Sequence, residues 1–199
     1  MNKPFSQACE NNKQAIFDIL SRVFADRNQV LEIGSGTGQH AVFFAERLPH
    51  LIWQTSDLQE NHAGIQQWIA EKNLANLKAP FDLNVEQLPW PIETKDAVFS
   101  ANTLHIMSWQ NVEHFFMGLD QALGVKGKLA VYGPFNYQGE FTSDSNRQFD
   151  AWLKQRGSHQ GIRDFEAVDR LAKNIGLVLK EDNAMPANNR LLVWQKHNP

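Results

Sequence analysis

The first part of the chain carries apolar residues at helical spacing. Within residues 12–25 they recur at i, i+1, i+4, i+5, i+8 and i+9, which places on one face Ala15, Ile16, Ile19, Leu20, Val23 and Phe24. This spacing predicts an amphipathic helix over residues 12–25. The apolar segment 29–33 (QVLEI) is typical of a buried strand, and a glycine-rich bend separates it from a helix predicted to end near Leu48, before Pro49.

Strand-like and helix-like segments then alternate along the chain. Further strands are predicted at 51–56, 77–81, 96–102 and 127–134, and further helices at 60–73 and about 109–123. Alternation with short connections predicts a mostly parallel sheet with helices on both faces, which is an α/β fold.

The last part of the chain departs from this alternation. Helices are predicted at about 144–156 and 165–175, and the strand-like segments 177–182 and 190–196 follow with only a loop between them. Two strands joined without a helix pair most simply as an antiparallel hairpin, so the sheet is expected to end in one. No linker-like segment interrupts the sequence, and one domain is expected over residues 1–199.

Composition narrows the function classes. The 199 residues include 19 Lys and Arg against 22 Asp and Glu, a net charge of -3, which disfavours nucleic acid as the main partner. Cys9 is the only cysteine, so no internal disulfide and no cysteine-built metal site are expected, and a reducing cytoplasm is the simplest location. The sequence shows no apolar run of signal-peptide or membrane-spanning length, and neither export nor membrane insertion is expected.

The bend after the first predicted strand, EIGSGTGQH at 32–40, suggests a ligand site. Its glycines are Gly34, Gly36 and Gly38, so the third glycine of the dinucleotide pattern G-x-G-x-x-G is replaced by Gln39. Glycines here permit backbone angles that are closed to other residues and let a ligand approach the main chain. The alternative is a tight turn without a ligand.

An acidic residue, Glu32, stands two positions ahead of Gly34. The combination resembles the first motif of class I S-adenosylmethionine (SAM) methyltransferases. That resemblance implies a Rossmann-like seven-stranded sheet of order 3-2-1-4-5-7-6, mostly parallel with one antiparallel C-terminal strand. It also implies that Glu32 helps to hold the methionine end of SAM, directly or through water, and that Ser35 joins the three glycines in binding the cofactor.

Two acids after later strands are further candidates for the cofactor site. Asp57 ends the second predicted strand, 19 residues after Gly38, where an acid can accept both ribose hydroxyls of an adenosine cofactor, with Leu58 beside it. The alternative is that Asp57 caps the next helix. Asp82 and Leu83 follow the third strand, where the resemblance implies contact with adenine, although Asp82 is equally suited to a turn.

The fourth strand ends in SANTLHIMSW at 100–109, which places Asn102 and His105 where a methyl group is transferred. Methyl transfer depends mainly on alignment of the acceptor and on exclusion of water. His105 is a candidate base, and its alternative role is a wall residue of the SAM site. A metal role is not expected for His105, because no second ligand lies at a suitable spacing on the same element.

Several segments resemble the methyltransferase-like protein 26 family and its bacterial relatives: ENNKQAI (10–16), NTLHI (102–106), YGPF (132–135), SNRQFDAWL (145–153), GIRD (161–164) and MPANN (185–189). Asn12 precedes or begins the first helix, in a segment that commonly folds over SAM in this class. Candidate residues of the acceptor site, each with an alternative role in a turn or cap, are Tyr132, Asn146, Arg163, Asp164, Asn188 and Asn189.

The sequence therefore predicts a methyltransferase that converts SAM to S-adenosylhomocysteine (SAH) and methylates a small molecule. No segment resembles the N/D-P-P-Y/F motif of enzymes that methylate DNA bases or glutamine, and ANTLHI stands in its place. Two alternatives stay open at this point. One is a protein that binds SAM or SAH without catalysis, as a sensor or interaction partner, and the other is an NAD-dependent oxidoreductase, which Gln39 disfavours.

Overall fold

A computed structural model describes residues 3–197, and residues 1, 2, 198 and 199 of the predicted domain lie outside that range. The strands are β1 (Gln29–Ile33), β2 (Ile52–Asp57), β3 (Leu77–Asp82), β4 (Lys95–Ala101), β5 (Leu123–Gly133), β6 (Phe135–Asn136), β7 (Arg163–Asp164), β8 (Leu177–Met185) and β9 (Asn189–Lys196). The α-helices are α1 (Gln7–Val23), α2 (Gln39–Arg47), α3 (His62–Lys72), α4 (Trp109–Ala122), α5 (Asp144–Arg156) and α6 (Phe165–Asn174).

Seven strands form one sheet in the order β3-β2-β1-β4-β5-β9-β8, and β6 and β7 form a separate two-stranded pair. The pairs from β3 to β5 are parallel, whereas β9 runs antiparallel to both β5 and β8. The predicted α/β class, the strand order and the single antiparallel C-terminal strand are confirmed.

Helices cover both faces of the sheet, as predicted, and each face has its own apolar core. Neighbouring residues of β1 divide between the two: Leu31 packs with α4 and α6, and Val30 packs with α1 and α2. This follows from the alternation of side chains along a strand. Both faces of the central strands are therefore apolar, and polar side chains collect at the strand ends.

The observed elements differ from the predicted ones mainly at their ends. Helix α1 begins at Gln7 rather than at residue 12, because the Ser6 side chain caps it by accepting a hydrogen bond from the Cys9 backbone N–H at 3.3 Å. Strand β5 begins at Leu123, which follows α4 directly. Within residues 3–197, no helix combines the length and apolar character needed to cross a bilayer.

Candidate functional site

The glycine bend lies against the end of β2. The backbone N–H groups of Gly34 and Ser35 both donate to the Ser56 carbonyl, at 3.1 and 3.0 Å. Gly34, Gly36 and Gly38 have φ values of 75°, 58° and 90°, a region that other residues enter only with strain. The bend therefore depends on glycine at all three positions.

The three glycines face different surroundings. A Cβ atom at Gly34 would lie 2.2 Å from Thr103 Cγ2, and one at Gly38 would lie 3.1 Å from the Cα atom of Ile65 in α3. A Cβ atom at Gly36 would meet no protein atom within 4 Å. Gly38 thus allows α2 and α3 to approach each other, and it is not among the residues that line the cavity, so its contact with a cofactor stays a prediction.

A cavity of about 980 Å³ lies at the carboxyl ends of the parallel strands. The cavity is lined by the N-terminal cap and first turns of α1, the glycine bend, the segments after β2, β3 and β4, the end of β5, helix α5 and the start of β9. Ligand pockets in proteins commonly measure about 300–1,000 Å³, so this one has room for a nucleoside and a second small molecule.

Asp57 organises the part of the cavity beside the bend. Its Oδ2 accepts the Gly36 N–H at 2.7 Å, and its Oδ1 accepts the Leu58 N–H at 2.8 Å and Asn61 Nδ2 at 2.7 Å. Asp57, Leu58 and Asn61 all line the cavity. A carboxylate offers about four acceptor positions, and Asn61 is the partner that a ligand hydroxyl can most easily replace.

Glu32 lies behind the cavity wall. Its side chain is buried, and its Oε2 accepts hydrogen bonds from Ser35 Oγ and Trp53 Nε1, both at 3.0 Å. Oε1 has no hydrogen-bond partner among residues 3–197. Of the two predicted roles, this placement favours contact through water over direct contact with a ligand ammonium.

Burial raises the pKa of Glu32 to about 7; the hydrogen bonds from Trp53 and Ser35 oppose this shift, and the charge of Asp57 adds to it. The folded protein therefore binds a proton more tightly here than the unfolded chain does. Between pH 4.5 and 7, this group lowers the free energy of unfolding as the pH rises, and its full cost is present above pH 7.

We expect Glu32→Gln to remove that dependence. Relative to the wild type, the free energy of unfolding of the variant should rise by about 2.5 kcal/mol between pH 5 and pH 8. Burial lowers the pKa values of His40 and His105 to about 4, which has the opposite effect on stability, so the difference between the two proteins is the useful quantity. Urea unfolding at several pH values measures it, and a constant difference would contradict the assigned pKa.

The predicted contact of Asp82 with adenine stays a prediction, and the position of Asp82 favours its alternative role in a turn. This residue ends β3 at the edge of the sheet, and its side chain is exposed and lies outside the cavity wall. The chain then turns back, with the Leu83 N–H donating to the Asp57 carbonyl at 3.1 Å. This turn brings Leu83 to the cavity, together with Asn84 and Val85, which were not predicted from the sequence.

Asn102 and His105 both line the cavity beyond the end of β4. Asn102 has a φ of 59°, and its Oδ1 lies 4.0 Å from the position of a Cβ atom on Gly133, whereas His105 Nδ1 lies 3.7 Å from that position. Burial, and secondarily the Arg163 charge, lower the pKa of His105 to about 4. The imidazole is therefore neutral at pH 7 and a weak base.

Asn12 lies on the first turns of α1 and lines the cavity. Its Oδ1 lies 2.7 Å from His40 Nε2, and both side chains are buried. Tyr132 at the end of β5 and Asn189 at the start of β9 complete this polar wall. Burial raises the pKa of Tyr132, opposed by hydrogen bonding to Asn12 and Asn189.

Three predicted acceptor-site residues lie outside the cavity wall. The Arg163 guanidinium donates to the carbonyls of Leu104 at 3.0 Å and of His159 at 2.9 Å, and also to that of Met107, so it fastens the segment that carries His105. Asp164 occupies the N-cap position of α6. Asn188 turns its side chain to Ser145 Oγ, at 3.2 Å.

Helix α5 contributes more side chains to the cavity than the sequence predicted. Ser145, Asn146, Phe149 and Trp152 fall at i, i+1, i+4 and i+7 of this helix, and all four line the cavity. Of these, only Asn146 was predicted. The helical spacing of the two aromatic residues was the available signal, but it predicts equally well a face packed on the core.

Among residues 3–197, no group of three or more His, Cys, Asp or Glu side chains is arranged to hold a metal ion. The polar groups of the cavity are instead backbone amides, neutral side chains and the Asp57 carboxylate. Such a set suits hydrogen bonding to an organic ligand.

Residues 3–196 match a family described as "Protein of unknown function (DUF938)". The chain belongs to this family. The resemblance to methyltransferase-like protein 26 stays a prediction, because the DUF938 description carries no activity.

Solved structures share the fold. An O-methyltransferase family protein from Burkholderia thailandensis has a TM-score of 0.83 and 17% identity, over 94% of this chain and 56% of that chain. An O-methyltransferase family 2 protein from Planctomyces limnophilus, solved in complex with apigenin, has a TM-score of 0.80 and 12% identity, over 94% of this chain and 56% of that chain. YcgJ from Bacillus subtilis gives 0.73 and 14%, over 94% of this chain and all of that one.

Because the sequence identities are low, these structural similarities establish only the fold, which is the Rossmann-like fold of class I methyltransferases. The chain of this DUF938 protein spans about half the length of the two O-methyltransferases that it matches. Any proposal about the activity, the cofactor or the acceptor therefore rests on the geometry of the cavity.

Proposed function

We propose that this DUF938 protein is a SAM-dependent methyltransferase that acts on a small molecule. The observation that carries the proposal is the pairing of Gly36 with Asp57 in the cavity wall. Open space lies at the missing Cβ of Gly36, and the Gly36 N–H holds the Asp57 carboxylate at 2.7 Å. A ligand can therefore approach the main chain closely while an acid stands beside it.

The residues of the cavity fit an adenosine sulfonium. Asp57 suits ribose hydroxyls, because a carboxylate only accepts hydrogen bonds. Leu83 and Val85 give an apolar surface for a base, and Asn84 beside them offers amide groups for its polar edge. Glu32 supplies a carboxylate one layer behind Ser35, within reach of an ammonium through water. Gln39 occupies the third glycine position of a dinucleotide motif, which disfavours NAD.

When bound, SAM supplies an electrophilic methyl carbon on a sulfonium. An acceptor lone pair would form the new bond to that carbon as the bonding pair returns to sulfur, and the acceptor proton would pass to solvent. For this step the chain provides alignment of the acceptor. Asn102 and His105 are the candidate residues beside the reacting atoms. With a pKa near 4, His105 is a weak base, so it is better suited to accept a hydrogen bond from the methyl acceptor than to remove its proton.

Isothermal titration calorimetry with SAM, SAH and NAD tests this proposal. We expect micromolar binding of the two sulfur nucleosides and no NAD signal. Binding of NAD alone would replace the proposal with the oxidoreductase alternative, and binding of none of the three would overturn the assignment of a nucleoside site.

A matched glycine pair tests the role of Gly36. Gly36→Ala and Gly139→Ala both place a side chain at positive φ, at 58° and 77°, with no protein atom within 4 Å. We expect both to cost about 1 kcal/mol of stability. Only Gly36→Ala should weaken SAH binding, by about tenfold or more, because its methyl group enters the space reserved for the ligand. Equal SAH affinity in the two variants would exclude a ligand from the bend.

A further inference from the structure

The cavity continues past the cofactor residues into a second part. The bend, Asp57 and Leu83 follow β1, β2 and β3, whereas another part of the lining follows β4 and β5 or comes from α5. Adjacent strands lie about 4.8 Å apart, so the two parts are displaced sideways along the sheet edge. We name the second part the acceptor chamber, which is formed by Ile106, Met107, Tyr132, Asn146, Phe149 and Trp152.

The acceptor chamber has flat apolar walls. Phe149 and Trp152 stack with ring centroids 5.6 Å apart and an interplanar angle of 20°, and His105 meets the Phe149 ring edge-on at 5.4 Å. Ile106 and Trp152 are 45% and 46% exposed at its mouth, although both are large apolar side chains. Flat rings in this arrangement favour a planar apolar ligand.

The acceptor chamber also lacks a formal charge. Among residues 3–197, Asp57 is the only Asp, Glu, Lys or Arg that lines the cavity, and it belongs to the cofactor part. Burial keeps His40 and His105 neutral by lowering their pKa values, and keeps Cys9 and Tyr132 neutral by raising theirs. A charged ligand would be desolvated here without a partner, which is costly.

Two cations lie near the acceptor chamber but outside its lining. Arg163 is occupied by three backbone carbonyls behind His105, and Arg156 lies 4.7 Å from the centre of the Trp152 ring. Neither residue lines the cavity. A carboxylate in the acceptor chamber therefore finds no direct ion pair.

One polar atom of the cavity lining has no hydrogen-bond partner within residues 3–197. Asn146 is 5% exposed, and its Nδ2 donates to Thr142 Oγ1 at 2.9 Å and to the Asn188 carbonyl at 3.1 Å. Since a carbonyl only accepts, these contacts fix the orientation of the amide. Oδ1 is left without a partner among residues 3–197, on a side chain that lines the cavity.

From these contacts we infer that the acceptor is an uncharged molecule with a planar apolar ring and a hydroxyl or N–H group that donates to Asn146. The ring lies against Phe149 and Trp152. This inference rests on the proposed function for the identity of the reaction, but the binding preference follows from the acceptor chamber alone.

Three naphthalene probes test the inference: 2-naphthol, 2-methoxynaphthalene and naphthalene-2-carboxylate. Each is titrated calorimetrically at pH 7.5 into the protein alone and into the protein saturated with SAH. We expect 2-naphthol to bind at least tenfold more tightly than the carboxylate, which is charged, and severalfold more tightly than the methoxy compound, which has no donor. Equal or tighter binding of the carboxylate would overturn the inference, as would the absence of 2-naphthol binding in both forms.

Variants locate the binding. Trp152→Ala should weaken 2-naphthol binding about tenfold while SAH affinity stays unchanged, and Met117→Ala, which removes an exposed apolar side chain from α4, should change neither. Unchanged 2-naphthol affinity in Trp152→Ala would contradict the placement of the ring. Failure of SAH to bind would count against the proposed function, whereas the titration of 2-naphthol into the protein alone still decides the inference.

Discussion

Asp57→Ala is expected to weaken SAH binding about a hundredfold. Each ribose hydroxyl that donates to the carboxylate contributes about 1.5–3 kcal/mol, because hydrogen bonds to a charged group are strong. The variant also removes the acceptor that holds the Gly36 N–H at 2.7 Å. Calorimetric titration of SAH measures the change, and thermal unfolding checks that the variant is folded.

The matched control is Asp82→Asn. Asp82 pairs with Asp57 in the register of β2 and β3, but its side chain is exposed and outside the cavity wall. We expect its removal to leave SAH affinity unchanged. An equal loss in both variants would point to a general effect of negative charge at this edge of the sheet.

A comparison of nucleosides separates the two roles of Asp57. The wild type should prefer adenosine over 2′,3′-dideoxyadenosine, whereas Asp57→Asn should largely lose that preference. If the variant weakens both nucleosides by the same factor, Asp57 acts only by supporting the bend and does not contact the ribose.

Gly34→Ala is expected to cost about 3 kcal/mol of stability. Its Cβ atom would lie 2.2 Å from Thr103 Cγ2, and its φ of 75° is unfavourable for alanine. Overpacking costs about 1–3 kcal/mol, and the left-handed conformation adds about 1–2 kcal/mol. Because Gly34 follows β1 and Thr103 follows β4, the collision would separate the two segments that flank the centre of the cavity.

Two further variants isolate the contribution of the collision. Gly176→Ala has nearly the same φ, 76°, and open space around its Cβ, so it should cost only about 1 kcal/mol. Thr103→Ser removes the colliding methyl group and keeps the hydroxyl that is bonded to Ser100, so in the Gly34→Ala background it should restore part of the loss. Urea unfolding compares them, and equal costs for Gly34→Ala and Gly176→Ala would contradict the collision.

The helices, the strands and the core were readable from the sequence because they follow from local periodicity, whereas the strand order was implied by the resemblance to class I methyltransferases. Apolar residues at helical spacing marked the buried face of α1, and α5 spans the predicted residues 144–156. The bend was equally readable, since glycines directly after a buried strand permit the left-handed backbone angles that the bend requires. In these parts of the chain the observed elements differ from the predicted ones only at their ends. The Ser6 cap, for example, extends α1 toward the N-terminus.

The direction of individual side chains depended on the tertiary structure. Asp57 and Asp82 both end strands, yet only Asp57 lines the cavity, because β3 is an edge strand and the chain reverses after it. Gly38 belongs to the motif but serves the contact between α2 and α3. Arg163 has the chemistry of a substrate-binding residue, but its guanidinium donates hydrogen bonds to backbone carbonyls instead.

The sequence by itself determined the fold class, the strand order implied by its resemblance, and the position of the bend with its neighbouring acids. Only the tertiary structure decided which polar side chains face the cavity and that α5 lines it with Phe149 and Trp152. The physical reason is that backbone conformation and apolar periodicity are set by near neighbours in the chain. The wall of a cavity is set instead by segments distant in sequence, whose packing decides which side chains are already occupied and which are left to meet a ligand.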